Sequence, residues 1–246
     1  MSNAPDEHEI IRQVLLNEEK IPGPRGEVFV RMSTFRRLLN ELRPLAGRNP
    51  ASGWQEKNAD DWPLIPVLIG YCTILDHIGG CYEPLTPEVT KEEKRDFVRA
   101  LKCFPASCRD LSDPTKPHVR NVHDLNDNEI EALYAFRCAL VHEGAFVNKD
   151  RSRKYVFRMV RDIGRKVELP KKLWTGDLAD VSDECITKID GWGFVTLAET
   201  IVTQVLQLAK CNGLRCRLKG SAEELRRCYL MDWLSFDPPQ KLQADP

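Results

Sequence analysis

Residues 64–82 decide the fold, and they read LIPVLIGYCTILDHIGGCY. Apolar side chains fall on every side of a helix through this stretch, a pattern typical of a helix that is buried all round. Pro66 is tolerable because it falls near the first turn, and Gly79-Gly80 predicts the end or a loosening of the helix. Asp76 lies where an unpaired charge is costly. The stretch therefore predicts a central core helix that carries one buried carboxylate.

Helical periodicity continues on both sides of this core helix. Apolar residues three and four apart predict further helices over 6–19, 33–47, 90–104, 126–143, 192–210 and from 221 onward. Capping boxes mark three of the starts, at Thr90–Glu93, Asn126–Glu129 and Ser221–Glu224. Between residues 154 and 169 the spacing changes to two, around Asp162-Ile163-Gly164, which predicts a β-hairpin. The sequence predicts a mainly α protein with one hairpin.

Composition favours a soluble protein of the cytoplasm. Of the 246 residues 42% are hydrophobic and 30% charged, and the net charge is -1. No stretch reaches the roughly 18 to 20 uninterrupted apolar residues of a membrane helix, and no export signal opens the chain. Because the nine cysteines are an odd number without such a signal, we expect reduced thiols and a cytoplasmic location, with no membrane partner.

The helix over 126–143 carries an unusual charge. Its apolar stripe has Arg137 at the centre, between residues 130, 133, 134, 140 and 141. A guanidinium on a buried seam is expensive unless a carboxylate or a phosphate meets it. Two hypotheses follow: Arg137 pairs with Asp76 for structure alone, or it forms part of a site.

His142 follows in the last turn before Gly144. At about 100° per residue it lies about 140° round the helix from Arg137. The carbonyl end of the helix favours the protonated imidazole there. The spacing Arg-x4-His alone is weak evidence, because a surface or capping histidine explains it equally well.

The residues around Arg137 and His142 are stronger evidence for a site than the spacing alone. Residues 133–144 read LYAFRCALVHEG, and this segment resembles the signature helix of HEPN domains, in which an Arg precedes a His by four to six residues. The core helix with Asp76 also resembles the earlier helices of those bundles. The resemblance implies a HEPN-like up-and-down helical bundle over 33–145, an N-terminal helix and loop over 1–32, and a basic β-hairpin plus C-terminal helices over 146–246, packed on the bundle.

The resemblance also implies a function. Members of the family are commonly metal-independent endoribonucleases of toxin-antitoxin, anti-phage and RNA-processing systems, and they typically dimerise around one RNA cleft. By that resemblance Arg137 holds the scissile phosphate, His142 moves protons and Asp76 orients Arg137, leaving a 2′,3′-cyclic phosphate and a 5′-hydroxyl. It implies RNA and an antitoxin protein as partners, a homodimer, and no cofactor.

One residue departs from the family pattern. Cys138 follows Arg137, where active members usually carry Asn, and cysteine is a weak hydrogen-bond donor. The alternative is therefore a non-catalytic HEPN-like module that binds RNA, nucleotide or a protein partner. A purely structural oligomer is a third, weaker alternative.

A basic segment follows the signature helix. Between residues 149 and 172 ten Lys and Arg face three Asp and Glu, a local excess of +7 that is a candidate phosphate-binding surface. A solvated face without ligand is the alternative. The candidate RNA-binding residues are Lys149, Arg151, Arg153, Lys154, Arg158 and Arg161.

Four residues offer a weak metal alternative. Cys103, Cys108, His118 and His123 form a Cys₂His₂ set, the donor set of a structural zinc site. Their spacing departs from the tight Cys-x2-Cys pattern, so the prediction is no metal.

Overall fold

The structure is a computed structural model that describes residues 6–22, 28–49, 53–54, 64–85, 93–104, 125–149, 153–161 and 163–230. Seven α-helices lie in these ranges: α1 Glu7–Leu15, α2 Thr34–Leu45, α3 Leu64–Cys81, α4 Asp96–Cys103, α5 Asp127–Cys138, α6 Gly191–Lys210 and α7 Ser221–Tyr229. The strands there are short: β1 Glu18–Pro22, β2 Val28–Met32, β3 Arg48–Asn49, β4 Gly53–Trp54, β5 Tyr82–Pro84, β6 Val147–Asn148, β7 Tyr155–Val160, β8 Val167–Glu168, β9 Ile186–Asp190 and β10 Leu214–Cys216. The prediction of a mainly α protein is confirmed.

The helix α3 forms the centre of the molecule. It packs against α2, α4 and α6, and buried side chains such as Leu68, Ile74 and Ile78 point in several directions around its axis. Within the described residues it is the one helix with the length and hydropathy of a membrane span, at 18 residues and a mean hydropathy of 1.5. The core helix of a soluble protein has the same properties, and the packing of α3 favours that position.

The helix α3 ends at Cys81, one residue after Gly79-Gly80 and close to the predicted end. The two glycines also allow the start of α4 to approach α3 closely. A Cβ atom on Gly79 would lie 1.8 Å from the Asp96 carbonyl oxygen, and one on Gly80 would lie 3.1 Å from the Asp96 Oδ2. The two glycines therefore bring Asp96 against the face of α3 that carries Asp76.

The start of α5 follows the predicted capping box. The Asn126 side chain accepts from the Glu129 N–H at 3.1 Å, and the Glu129 carboxylate accepts from the Asn126 N–H at 2.8 Å. Gly144 ends this helical segment in the left-handed region, at φ 61°. Both boundaries of the helix that carries Arg137 are therefore determined locally.

The other two capping boxes have different outcomes. Thr90 lies outside the described residues, and α4 begins at Asp96. The box at Ser221 is wrong, because Gly220 is the N-cap. Glu224 still reaches back and accepts from the Gly220 N–H at 2.7 Å.

The first predicted helix is too long. α1 ends at Leu15, and β1 pairs antiparallel with β2, with Glu18 opposite Met32 and Pro22 opposite Val28. The apolar helical stripe stops at Leu15, and Pro22 has no N–H with which to continue a helix.

The predicted β-hairpin over 154–169 is wrong. β7 and β8 form as expected, but β9 lies between them in a sheet of order β6-β7-β9-β8. β7 pairs parallel with β9, Val156 opposite Ile186, and β8 pairs antiparallel with β9. A period-two pattern identifies a strand and its buried face, but it does not identify the partner strand.

The sheet packs on α5 through aromatic side chains. Phe157 is buried, and its ring centroid lies 5.3 Å from that of Phe136 on α5. Tyr155, on the same face, is also buried. The sheet therefore supports α5 immediately before Arg137.

The three predicted regions share one core. α1 packs against α7, α6 packs against α3, and one cluster of buried side chains includes residues of all three regions. A buried carboxylate fixes α6 to the bundle: Glu199 accepts from Arg43 Nε at 3.0 Å, Arg43 Nη2 at 2.9 Å and Tyr71 Oη at 2.6 Å. The division at residues 32 and 145 stays a prediction.

Candidate functional site

Arg137 and Asp76 form an ion pair between α5 and α3. The Nε and Nη2 atoms of Arg137 donate to the Asp76 Oδ2 at 2.9 and 2.7 Å. The side chains are 17% and 25% exposed, so the pair lies at the edge of the core and not in a sealed interior. The predicted pairing of the buried-seam guanidinium with Asp76 is confirmed.

His142 completes a cluster of three side chains. Its Nε2 lies 2.6 Å from Arg137 Nη1, although α-helical geometry places the two residues about 140° apart. Residues Ala139–Glu143 form a π-helical turn, in which Gly144 N–H donates to the Ala139 carbonyl. Because a π-turn aligns residues five apart, it brings His142 to the Arg137 side of the helix. The predicted direction of His142 was wrong for this reason.

The contact between Arg137 and His142 has a defined hydrogen-bond direction. A guanidinium nitrogen can only donate, so Nε2 of His142 is the acceptor in this contact. His142 is exposed, so its unoccupied edge faces solvent.

Burial and charge act in opposite directions on Asp76. Burial raises the pKa of the Asp76 carboxyl and outweighs the hydrogen bonds and charge of Arg137, which lower it; the nearby Asp96 raises it further. Burial lowers the pKa of Arg137, but the hydrogen bonds and charge of Asp76 more than compensate, so the Arg137 pKa is raised overall. Arg137 therefore remains a cation, and Asp76 is a carboxylate whose charge depends on Arg137.

Two cysteine thiols lie near the Arg137–Asp76 ion pair. Cys138 is half-buried next to Arg137, and Cys72 on α3 is fully buried. Burial raises the pKa of the Cys72 thiol, with a further contribution from Asp76, so Cys72 is neutral and unreactive at pH 7.

The candidate RNA-binding residues lie on and beside the sheet. Lys149, Lys154, Arg158 and Arg161 are exposed, Arg153 is half-buried, and Arg151 lies outside the described residues. β6 begins four residues after Glu143, where the π-helical turn ends, and Lys149 follows β6 directly. The basic segment therefore begins close in sequence to the Arg137–His142 pair.

Several of these cations already have a protein partner. Arg158 Nη2 lies 2.9 Å from the Asp183 Oδ1, and Lys154 Nζ donates to the Thr175 carbonyl at 2.8 Å. Lys149 Nζ lies 5.6 Å from the centroid of the Trp174 ring. The excess of positive charge in residues 149–172 is therefore partly compensated by residues that follow it in the chain.

The weak zinc candidates can be followed only in part. Cys103 is buried at the end of α4, whereas Cys108, His118 and His123 lie outside the described residues. Elsewhere in the described ranges no group of three His, Cys, Asp or Glu side chains could hold a metal ion.

A cavity adjoins the Asp76 side of the cluster. Its volume is about 380 Å³, within the range of small-molecule sites. The α3 residues Thr73, Asp76, His77 and Gly80 form one wall, and the remaining lining residues are Thr34, Phe35, Leu38, Ile74, Cys81, Asp96, Leu218 and Tyr229. The cavity and the Arg137–His142 pair therefore share Asp76.

Aromatic rings surround His77 within this cavity. The centroid of its imidazole lies 4.9 Å from that of Phe35 and 4.2 Å from that of Tyr229. Its Nε2 lies 3.2 Å from the Tyr82 Oη. Burial lowers the pKa of His77 to about 3, so this imidazole is neutral at pH 7, and it meets the Tyr229 ring edge-on, at an interplanar angle of 83°.

Sequence reasoning did not identify His77 and Asp96 as site residues. The one sequence signal for Asp96 is Gly79-Gly80, because adjacent small residues on a core helix allow another backbone to approach. His77 follows Asp76 directly, yet its neighbours Phe35 and Tyr229 come from α2 and α7, far away in the chain.

No protein-family model, curated protein or solved structure matches this chain with significant similarity. The geometry of the Asp76–Arg137–His142 cluster and of the adjoining cavity is therefore the observation on which a functional assignment rests.

Proposed function

We propose that the protein is a metal-independent endoribonuclease of the HEPN type, a toxin or anti-phage defence effector, and that Arg137 and His142 are its catalytic residues. The observation that carries the proposal is the 2.6 Å contact between Arg137 Nη1 and His142 Nε2 at the protein surface. A cation that binds phosphate and an imidazole that can accept a proton are the two groups that RNA transesterification needs at one place.

Arg137 would bind the scissile phosphate. Two of its nitrogens are held by Asp76, and Nη1 is directed toward His142 at the exposed side of the pair. A phosphate oxygen at that side would accept from Nη1 and replace the contact with His142. Since the guanidinium is already oriented by Asp76, little side-chain freedom is lost when the phosphate binds.

His142 would then act as the general base. Released from Arg137, its Nε2 accepts the 2′-hydroxyl proton as the 2′ oxygen bonds to phosphorus. The bond from phosphorus to the 5′ oxygen breaks, the leaving oxygen takes a proton from solvent to become a 5′-hydroxyl, and His142 returns its proton to solvent. The other product ends in a 2′,3′-cyclic phosphate, and no water or metal is consumed.

Asp76 has a positioning role in this scheme. A half-buried carboxylate that accepts two guanidinium hydrogen bonds fixes the plane of the guanidinium. The exposed cations Lys149, Lys154 and Arg161 would guide the RNA backbone toward the pair. By the same proposal the protein works in the cytoplasm as a homodimer and is restrained by an antitoxin partner.

The test uses an end-labelled RNA oligonucleotide and the full-length protein, with and without EDTA. We expect cleavage that EDTA does not affect and products with cyclic phosphate ends. Arg137→Ala and His142→Ala are expected to lower the rate at least 100-fold. Arg37→Ala and His8→Ala, which change the same residue types on α2 and α1, are the matched controls and should cleave normally. Cleavage that survives both site substitutions would overturn the proposal.

A second candidate is a non-catalytic module that binds RNA, nucleotide or a protein partner. Cys138 favours it, because this half-buried residue supplies a weak donor where an active site needs a polar group. In that case the same oligonucleotide would bind without cleavage, more weakly at high salt, and Arg137→Ala would lower the affinity.

A further inference from the structure

We propose that the cavity beside Asp76 binds a guanine base of the RNA, from the nucleotide next to the phosphate held at Arg137. This inference deepens the proposed function and rests on it for the identity of the substrate. Its own basis is the combination of flat rings, apolar walls and two carboxylates in one cavity of about 380 Å³.

The walls of the cavity suit a planar aromatic ligand. Phe35, the neutral imidazole of His77 and Tyr229 supply three rings, and Leu38 and Leu218 supply aliphatic surface. Unpaired RNA bases are typically held by stacking on aromatic side chains, with hydrogen bonds to their edges.

The polar groups of the cavity select the base. At neutral pH carboxylates only accept hydrogen bonds, and the two present here are Asp76 and Asp96. Guanine has adjacent donors, N1–H and the 2-amino group, which match the two oxygens of one carboxylate. Uracil has no amino group, and its single N–H lies between two carbonyl acceptors that a carboxylate would repel.

Charge also determines which end of the nucleotide enters. The Asp76 charge is compensated by Arg137 at 2.7 Å, whereas no described residue pairs with the Asp96 side chain. The cavity therefore has net negative charge and repels a phosphate, which is attracted instead to Arg137 on the other side of Asp76. Asp76 thus separates a phosphate position from a base position.

Asp96 is held in place by the backbone of α3. A Cβ on Gly79 would lie 1.8 Å from the Asp96 carbonyl oxygen, so the helices touch at this point. Asp96 is the first residue of α4 and its side chain enters the cavity from there. The helix contact therefore fixes the backbone position from which the Asp96 side chain reaches the cavity.

The first measurement is the binding of free nucleosides to the full-length protein by calorimetry, which needs no cleavage. We expect guanosine to bind at least 10-fold more tightly than uridine. Asp96→Asn should weaken guanosine binding about 10- to 100-fold, the range for one bidentate contact to a base. Asp183→Asn, an equal charge change at a side chain that is 81% exposed, is the matched control and should have no effect.

A second variant keeps the test independent of Asp96. Thr73→Phe adds a ring at an exposed α3 position that lines the cavity, and it should abolish guanosine binding while circular dichroism shows the fold unchanged. Equal affinity for guanosine and uridine, or guanosine binding unchanged by both variants, would overturn the base site. So would binding of spermidine in place of guanosine, which would indicate a cation site.

The second measurement separates this proposal from the ribonuclease proposal. On a mixed-sequence RNA, cleavage should occur next to guanine in the wild type and lose that preference in Asp96→Asn. Cleavage without base preference, together with no nucleoside binding, overturns the base site and leaves the ribonuclease assignment. Guanosine binding without any cleavage overturns the ribonuclease assignment and supports the base site.

Discussion

Arg137 Nη1 and His142 Nε2 lie 2.6 Å apart across a π-helical turn, although the two residues are five positions apart in the sequence. A π-turn accommodates one more residue than the α-helical turn it replaces, and such turns are frequent at functional sites. Here the extra residue converts a pair that would point in different directions into a pair in contact. The geometry of the site therefore depends on the backbone between the two residues as much as on the side chains.

Changing the length of this turn should test the relationship. Deletion of Val141 gives a spacing of four, which in a regular α-helix leaves the two side chains about 40° apart, so the contact should persist. Insertion of one alanine after Val141 gives a spacing of six, about 120° apart, so the contact should be lost. We expect the RNA cleavage rate of the deletion variant within about 10-fold of wild type, and that of the insertion variant at the level of His142→Ala. An insertion variant with wild-type activity would contradict this account.

Asp76→Asn should destabilise the protein by about 1–2 kcal/mol. The substitution removes the negative charge that compensates Arg137 but keeps one oxygen that can accept a hydrogen bond from it. Because the pair is partly exposed, solvent limits the loss of unfolding free energy. Urea unfolding followed by circular dichroism measures the change. Asp183→Asn is the exposed control and should change the free energy of unfolding by less than about 0.5 kcal/mol. Equal stability of Asp76→Asn and wild type would show that the pair does not contribute to the folded state.

Gly79→Ala and Gly80→Ala should differ sharply. At Gly79 the new methyl group would meet the Asp96 carbonyl oxygen at 1.8 Å, a backbone atom that cannot move without displacing α4. We expect a loss of about 3 kcal/mol or more in unfolding free energy. At Gly80 the nearest atom is the Asp96 Oδ2 at 3.1 Å, which can rotate away, so the cost should be below about 1 kcal/mol. Thermal unfolding of both variants side by side measures the difference, and a similar melting temperature for the two would disprove the close approach.

His77 should make the stability of the protein depend on acid. In the unfolded chain its imidazole takes up a proton near pH 6.5, whereas in the fold burial lowers the His77 pKa to about 3. The unfolded state therefore binds the extra proton first, so this contribution to stability is complete above pH 6.5 and is lost as the pH falls toward 3. Between those limits the wild type should lose roughly 4 kcal/mol more than His77→Asn.

The comparison is made by urea unfolding at several pH values. His8→Asn serves as the control and should follow the wild-type curve. Parallel curves for His77→Asn and wild type would show that His77 is not held neutral by the fold.

The sequence predicted well where a feature depends on neighbours along the chain. The buried pattern of α3 and the Asn126–Glu129 capping box are local properties, and both are confirmed. The pairing of Arg137 with Asp76 could also be predicted from the sequence. Each residue is a charge on an apolar helix, and such a charge requires a partner of opposite sign. These predictions needed only periodicity and the cost of a buried charge.

The features that sequence reasoning missed depend on distant residues or on irregular backbone. The spacing of β7 and β8 is that of a hairpin, but the residues of β9 compete for the same edge and occupy it. The π-turn before Gly144 has no periodic signal, so a constant 100° per residue placed His142 on the wrong side. The cavity is formed by side chains from α2, α3, α4 and α7, and no local pattern relates them.

The parallel pairing of β7 with β9 has a consequence for synthesis in the cell. While the ribosome is still producing residues 161–185, β7 has β6 on one side and an open hydrogen-bonding edge on the other. A nascent chain that stalls at this stage exposes β7, whose residues Tyr155 and Phe157 are buried in the folded protein. The unpaired edge of this strand is a template for aggregation. Helix α5, with its arginine, emerges well before the sheet that packs on it can close. The apolar face of α5 around Phe136 therefore stays uncovered until the residues of β9 have left the ribosome and the sheet has formed.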